Sequence, residues 1–393
     1  MARILIGWEL GSGRGHAENL IDLATEMRAR GHDPVLAVQQ TAAMPAGFEI
    51  WQAPLWPALI TSRARPSRSA PATFGDILSA VGLGEAGVLS GLIRAWDRIL
   101  AAVRPDAVAA EFAPALLPAA RGRVPVLSFG TGFAQPPAGL AAFPSLTGDP
   151  AARDEAALLA AANREIGLAG AAPLLALPAL FAADRVLVQA FPLLDPYRRW
   201  RREGEYAPPP VSAATGSLPP LADGRGEEIF VYLNGAQTVR APLLAGMVDA
   251  GLPIRLHMPS IADADAAVLE QAGITVERQP VPIARVVERS RLIVSHGGIG
   301  LAAAALCAGL PHIVLSFDLE KRLTGLALAE AGLGRQAEFR ALDRPGMARL
   351  LAEGFADGAM AARCRDAAPA FRAAAVPGGA RAVADAVEAL IAA

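Results

Sequence analysis

A strand-then-helix rhythm, broken once by a proline-rich stretch and then resumed, constrains this chain more than any other feature. Ile4–Trp8, Pro34–Val38, Glu49–Gln52, Ala107–Glu111, Val124–Phe129 and Val186–Ala190 are short, mostly apolar runs that read as strands. Helical stretches lie between them, from about His16 to Arg30 and in one long run from about Phe74 to Val103. Tyr206 to Glu228, with Pro208-Pro209-Pro210 and Pro219-Pro220, reads as a linker. The rhythm then restarts with strands at Ile229–Leu233, Ile254–Met258, Ile274–Val276, Leu292–Ser295 and Ile313–Ser316. Helices are expected near Val239–Ala250, Asp265–Ala272, Ile283–Arg289, Gly300–Ala308 and Arg322–Ala331, and across 343–392. Such alternation demands parallel sheets covered by helices on both faces. The expected class is α/β, with two doubly wound, Rossmann-like domains at 1–205 and 229–393 joined by the linker 206–228. A length of 393 residues suits two domains.

Charge and cysteine usage exclude several functions. There are 38 acidic and 36 basic residues, so the basic excess of a nucleic-acid binder is missing. Cys307 and Cys364 form neither a disulfide framework nor a metal-ligand spacing. The start, Met1-Ala2-Arg3-Ile4-Leu5-Ile6, reaches Glu9 too soon for a signal peptide. The longest uncharged run, Ile166–Ala183, is interrupted by Gly167, Gly170, Pro173 and Pro178. It reads as a buried helix and loop rather than a membrane span. A soluble, cytoplasmic protein is expected.

His296-Gly297-Gly298-Ile299-Gly300 follows the strand run Arg291–Ser295 and opens the helical run Leu301–Ala308. Glycines let a backbone approach a ligand. The first N–H groups of a helix lack internal partners and lie at the positive end of its dipole. With a histidine as a further donor, the stretch reads as a diphosphate cradle. A second glycine-rich loop, Gly11-Ser12-Gly13-Arg14-Gly15-His16, does not fit the dinucleotide pattern. Its third glycine would fall on His16, and the second strand ends at Gln39-Gln40 rather than on an acid. What this loop offers is His16, at a helix N-terminus on the carboxyl edge of the first strand. An unperturbed pKa of roughly 6.5 suits a general base, although packing or capping is the commoner role of a lone histidine. Glu111 ends its strand on that same edge. A carboxylate there would fix the imidazole tautomer and stabilise an imidazolium; a solvated strand end is an equally weighted reading. Asp263-Ala264-Asp265 has a D-x-D pattern but reads as the acidic start of a helix, so no metal is expected. The segments Trp51–Ala72 and Phe133–Pro150 are long for connecting loops and suit a binding surface.

Several blocks acquire meaning together. In the first half they are Gly15-His16, Arg30-Gly31-His32, Pro105-Asp106 and Val124-Pro125. In the second half they are Val281-Pro282, His296 to Gly300, Gly309-Leu310-Pro311, Leu319-Glu320-Lys321 and Gly332-Leu333-Gly334. Over nearly the whole chain they resemble the GT-B-fold, family 1 nucleotide-sugar glycosyltransferases. The resemblance implies two facing domains and an inverting, metal-independent transfer. A sugar would pass from a UDP- or dTDP-sugar to a hydroxyl, or an amine, of a small and fairly apolar acceptor. It implies His16 as the base that deprotonates the acceptor and Glu111 as the acid that orients it. Thr131 would lie near the donor sugar, Asn234-Gly235 would form a donor-side turn, and Val281 would contact the nucleobase through its backbone. His296, Gly297, Gly298 and Gly300 would hold the diphosphate, and Glu320 and Lys321 take the donor-sugar position. The acceptor is expected on the first domain, near Trp51, Trp56 and Phe133. The nucleotide sugar is a co-substrate, and no cofactor is implied; a homodimer is compatible with this reading.

Pro280, Ile283, Leu301, Ala304 and Glu320-Lys321 depart from the family's usual residues. Two other classes stay open on that account: a catalytically silent homologue acting as a partner or activator protein, and a two-domain UDP-sugar epimerase. Lys321 is the single lysine among 36 basic residues. A solvated place at a helix start is its simplest reading. A compact ammonium could instead meet a carboxylate or phosphate, which suggests a donor sugar bearing a negative group, such as a uronic acid.

Overall fold

The computed structural model describes residues 1–11, 14–60, 70–202, 204–211, 218–234 and 240–393. They separate into two compact units. One comprises 1–189, 196–207 and 379–393; the other comprises 190–195 and 208–378.

The first unit holds a seven-stranded sheet of β1 (Arg3–Trp8), β2 (Asp33–Val38), β3 (Glu49–Gln52), β4 (Ala107–Glu111), β5 (Val126–Gly130), β6 (Arg185–Gln189) and β7 (Tyr206–Ala207), in the order β3-β2-β1-β4-β5-β6-β7. Every neighbouring pair is parallel. All residues of β4 and β5 are buried, as central parallel strands require. The sheet grows outward from β1 in one direction and from β4 in the other. Ligands of doubly wound sheets bind beyond the carboxyl ends at such a switch point. Register places Trp8 opposite Glu111 at that edge.

Three departures from expectation have local causes. The long helix from Phe74 is two helices, Phe74–Ala80 and Val88–Val103. Gly82, Gly84 and Gly87 between them all take left-handed φ values, which end a helix readily. Tyr206 and Ala207, expected in a linker, add an edge strand beside β6. The helix Gly379–Ala392, expected in the second domain, belongs to the first. Val383, Ala384, Ala386 and Val387 pack into the core that holds Leu20, Leu23, Ala24 and Met27. Burying each valine contributes about 1.5–3 kcal/mol. Arg30 reaches Asp385 at 2.6 Å and Glu388 at 2.7 Å, and His32 meets Glu388 at 3.0 Å.

The second unit repeats the plan with β8 (Glu228–Tyr232), β9 (Ile254–His257), β10 (Thr275–Glu277), β11 (Ser290–Ser295), β12 (His312–Ser316) and β13 (Gly334–Glu338), in the order β10-β9-β8-β11-β12-β13. All neighbours are again parallel. Its switch point lies between β8 and β11. Within the expected linker, Ala222 donates its N–H to the Ala308 carbonyl of this unit at 2.8 Å. The helical region after 343 resolves into Arg344–Ala356 and Gly358–Ala374 before the chain returns to the first unit. Among the described residues, no helix is long and apolar enough to cross a membrane.

Candidate functional site

In the first unit the helix Arg14–Ala29 follows β1 directly, so His16 stands over the carboxyl edge of the sheet. Its Nδ1 lies 2.8 Å from Glu111 Oε1. The Glu111 side chain is only 2% exposed, and its other oxygen has no hydrogen-bond partner. Among the described residues, His16 is the hydrogen-bond partner found for this buried carboxylate. A buried carboxylate is costly unless it is hydrogen-bonded. Trp8 stacks under the imidazole with centroids 5.4 Å apart and planes 17° apart. The strand that carries Glu111 ends in an unusual way. Phe112 takes φ +42°, a strained value for a bulky residue. Its carbonyl accepts the Leu10 N–H at 3.0 Å, tying the ends of β1 and β4 together.

Glu9 makes a second tie that the sequence did not reveal. This fully buried carboxylate accepts N–H groups from Trp56 at 2.8 Å, Ala115 at 3.1 Å and Leu116 at 2.6 Å. Burial pushes its pKa up to about 7, against the opposing pull of those donors. Trp56 is consequently core rather than acceptor surface; it is 0% exposed with its indole N–H bound. Trp51 is half-buried on the edge strand β3, and its indole donates to Glu49 at 2.8 Å. Phe133 is buried against Phe74 at 5.5 Å. Phe74 also meets Phe112 at 5.8 Å and Phe181 at 5.3 Å, and Phe112 lies 6.5 Å from the His16 ring. Phe133 thus belongs to an aromatic wall leading to the His16–Glu111 pair. Thr131 follows β5, the strand beside β4, on the same edge.

The second unit brings Asn234, after β8, and His296, after β11, to its own switch point. Gly235 lies outside the described residues. His296 is 8% exposed and sits edge-on between Phe317 at 4.8 Å and Phe339 at 5.8 Å. Burial lowers its pKa and nearby Lys321 reinforces this, while the Leu315 carbonyl and the Asn234 backbone oppose it. Nδ1 lies 3.1 Å from the Leu315 carbonyl, and Nε2 makes no hydrogen bond. A neutral ring donates through Nδ1 and leaves an unpartnered lone pair on Nε2. So His296 is not a ready-made donor in the unliganded protein, and must take up a proton to become one.

The helix Ile299–Ala308 begins at Gly298, with no side chain capping its first N–H groups. Gly297, just before it, has φ +83°, and a Cβ there would come within 2.6 Å of Val314. Its N–H does not face outward as the sequence suggested; it donates to Ser295 Oγ at 3.0 Å. A helix leaves its first N–H groups without internal partners, here those from Gly298 to Leu301. The Pro210 carbonyl passes over Gly300, 3.1 Å from where a Cβ would sit. Val281 is half-buried beside Phe230 and Ile293, anchoring the turn before the helix Ile283–Arg289.

Lys321 lies beside this cradle: its carbonyl is 3.5 Å from the position of a Gly297 Cβ. Its ammonium is 2.7 Å from Glu320 Oε2, and both side chains are mostly buried. Burial opposes the charge, yet Glu320 and Asp318 outweigh it and raise the Lys321 pKa. Two carboxylates thus surround one ammonium. Glu320 already partners the Lys321 ammonium, which weighs against the expectation of an acidic donor sugar. Asp263 is exposed and pairs with Arg278 in the first turn of the helix Asp263–Gln271. Sequence reasoning also missed the stack of Tyr232 on His257 at 5.6 Å, level across β8 and β9.

No family model and no curated protein sequence matches the chain. Solved structures do. The calicheamicin glycosyltransferase CalG4 superposes with a TM-score of 0.71 at 21% identity, covering 100% of this chain and 98% of that one. The glycosyltransferase of kitacinnamycin gives 0.68 at 19% identity, covering 99% of each. The glycosyltransferase VinC, in complex with dTDP, gives 0.67 at 16% identity, covering 100% of each. With its two all-parallel sheets and switch points, the chain therefore has the GT-B fold of these glycosyltransferases.

Proposed function

We propose that this chain is an inverting, metal-independent glycosyltransferase that moves a sugar from a UDP- or dTDP-sugar to a hydroxyl, or an amine, of a small apolar acceptor. The observation that carries the reading is the buried His16–Glu111 pair at 2.8 Å. The acceptor O–H gives its proton to His16 as its oxygen attacks the anomeric carbon. The bond from that carbon to the diphosphate breaks, and the nucleoside diphosphate leaves with the electron pair. A single displacement of this kind inverts the anomeric centre. Glu111 stabilises the imidazolium that forms. Charge growing on the diphosphate meets the N–H groups of Gly298 to Leu301 and a protonated His296, which do the work a metal would otherwise do. The apolar surroundings of His16, where Trp8 and Phe112 lie against its ring, support an apolar acceptor. The VinC complex with dTDP, and a spinosyn rhamnosyltransferase complexed with thymidine diphosphate, support a pyrimidine nucleotide.

The test is a thermal-shift series with UDP, dTDP, GDP and their sugars. A ligand at 100 times its Kd adds about 2.7 kcal/mol of stability. UDP or dTDP is expected to raise the melting temperature; no response to any nucleotide diphosphate would sink the reading.

A further inference from the structure

Ser295 closes β11 and His312 opens β12, on one face of the sheet and both about 1% exposed. Ser295 Oγ lies 2.7 Å from His312 Nε2 and accepts the Gly297 N–H at 3.0 Å. His312 Nδ1 is buried without a partner. Burial pushes the His312 pKa down to about 4, so the ring is neutral and carries one N–H. If that proton sat on Nε2, both the Ser295 hydroxyl hydrogen and the Nδ1 lone pair would be unpartnered. With the proton on Nδ1, the hydroxyl donates to Nε2 and only one buried donor is orphaned. The second arrangement costs less. In it the serine hydroxyl is locked: its hydrogen points at His312 and a lone pair points at Gly297.

We infer that His312, acting through Ser295, is a positioning residue for the binding of a nucleoside diphosphate. The lock holds the Gly297 N–H inward and so fixes the left-handed turn. That turn aims the open N–H groups of Gly298 to Leu301, and places His296 with its unpartnered Nε2 beside them. His312 touches none of the open donors itself. The inference rests on the transferase reading of the cradle, and supplies the reason a histidine stands buried at the start of β12.

The experiment measures UDP and dTDP affinity by titration calorimetry for wild type, His312→Phe, Ser295→Ala and the double variant. Each single change is expected to weaken Kd by about 3–10-fold, the value of one hydrogen bond. His312→Gln, whose amide oxygen can accept the serine hydroxyl, is expected to recover most of the loss. Because His312 acts through Ser295, the double variant should bind no more weakly than Ser295→Ala alone. A merely structural role would lower the melting temperature of His312→Phe and leave its Kd unchanged, overturning the inference. Independent losses that add in the double variant would overturn it too. Should the phenylalanine variant fail to fold, Ser295→Ala and His312→Gln carry the same comparison. Wild-type protein that binds neither nucleotide would defeat the transferase reading as well; wild-type binding with unaltered variants defeats only this one.

Discussion

His16 and His296 stand at equivalent places, each just beyond the carboxyl end of a strand at a switch point, yet their surroundings differ in kind. His16 meets a buried carboxylate and lies flat on Trp8. His296 meets a backbone carbonyl and is enclosed edge-on by Phe317 and Phe339. A carboxylate partner stabilises an imidazolium, so that ring can accept a proton during a reaction. A carbonyl partner orients the ring without adding charge, and burial then keeps it neutral until an anion arrives. The partner, more than the histidine, decides the task.

The first way to break this contrast is His16→Ala. Turnover is expected to fall about 10²–10⁴-fold, with the nucleotide-induced thermal shift retained; wild-type turnover would remove His16 from the chemistry. Glu111→Gln keeps a hydrogen-bonding side chain and removes the charge. A loss in kcat of up to about 10⁴-fold, as for the carboxylate behind a general-base histidine, is expected. An unchanged kcat would mean that the charge of the partner is immaterial.

His296 gives a pH test of the other half. Its pKa is lowered by burial in the free protein, and a bound diphosphate, being an anion, would raise it. Binding therefore takes up a proton between those two values. Affinity for a nucleotide sugar, whose diphosphate does not titrate near neutrality, should weaken as pH rises through the bound-state pKa, by roughly tenfold per unit at most. Leu315 and the Asn234 backbone favour this protonation, and Lys321 opposes it. A flat wild-type profile, matching that of His296→Gln, would show that no proton is taken up. The smallest effect is expected from Lys321→Gln. With Glu320 already at its ammonium, the relative use of glucose and glucuronate donors should stay the same; a changed preference would show that Lys321 reaches the sugar.

Sequence patterning carried the fold because central parallel strands need an apolar middle, and β1, β4, β11 and β12 each have one, with their polar residues at the strand ends. The edge strand β13, Gly334-Arg335-Gln336-Ala337-Glu338, carries no such signal and was invisible. The His16–Glu111 pair was legible because parallel strands put their carboxyl ends on one edge. The aromatic wall was not, since Phe74, Phe112, Phe133 and Phe181 come from separate loops and helices with no shared period. His312 was missed for a related reason: it lies just before the expected strand Ile313–Ser316, and nothing in its own neighbourhood signals the hydroxyl it will meet. Trp56 misled because it lies in a segment long for a connecting loop, whereas its partner, Glu9, is buried far back in the sequence.

The return of Gly379–Ala392 to the first unit has a consequence during synthesis. The strands of the first sheet leave the ribosome before any of the second, but a groove over the helix Arg14–Ala29 stays unfilled until Val383 and Val387 emerge. The unit begun first is therefore completed last, and its apolar groove stays exposed while the whole second unit is made. A nascent chain in that state is a natural client for chaperones.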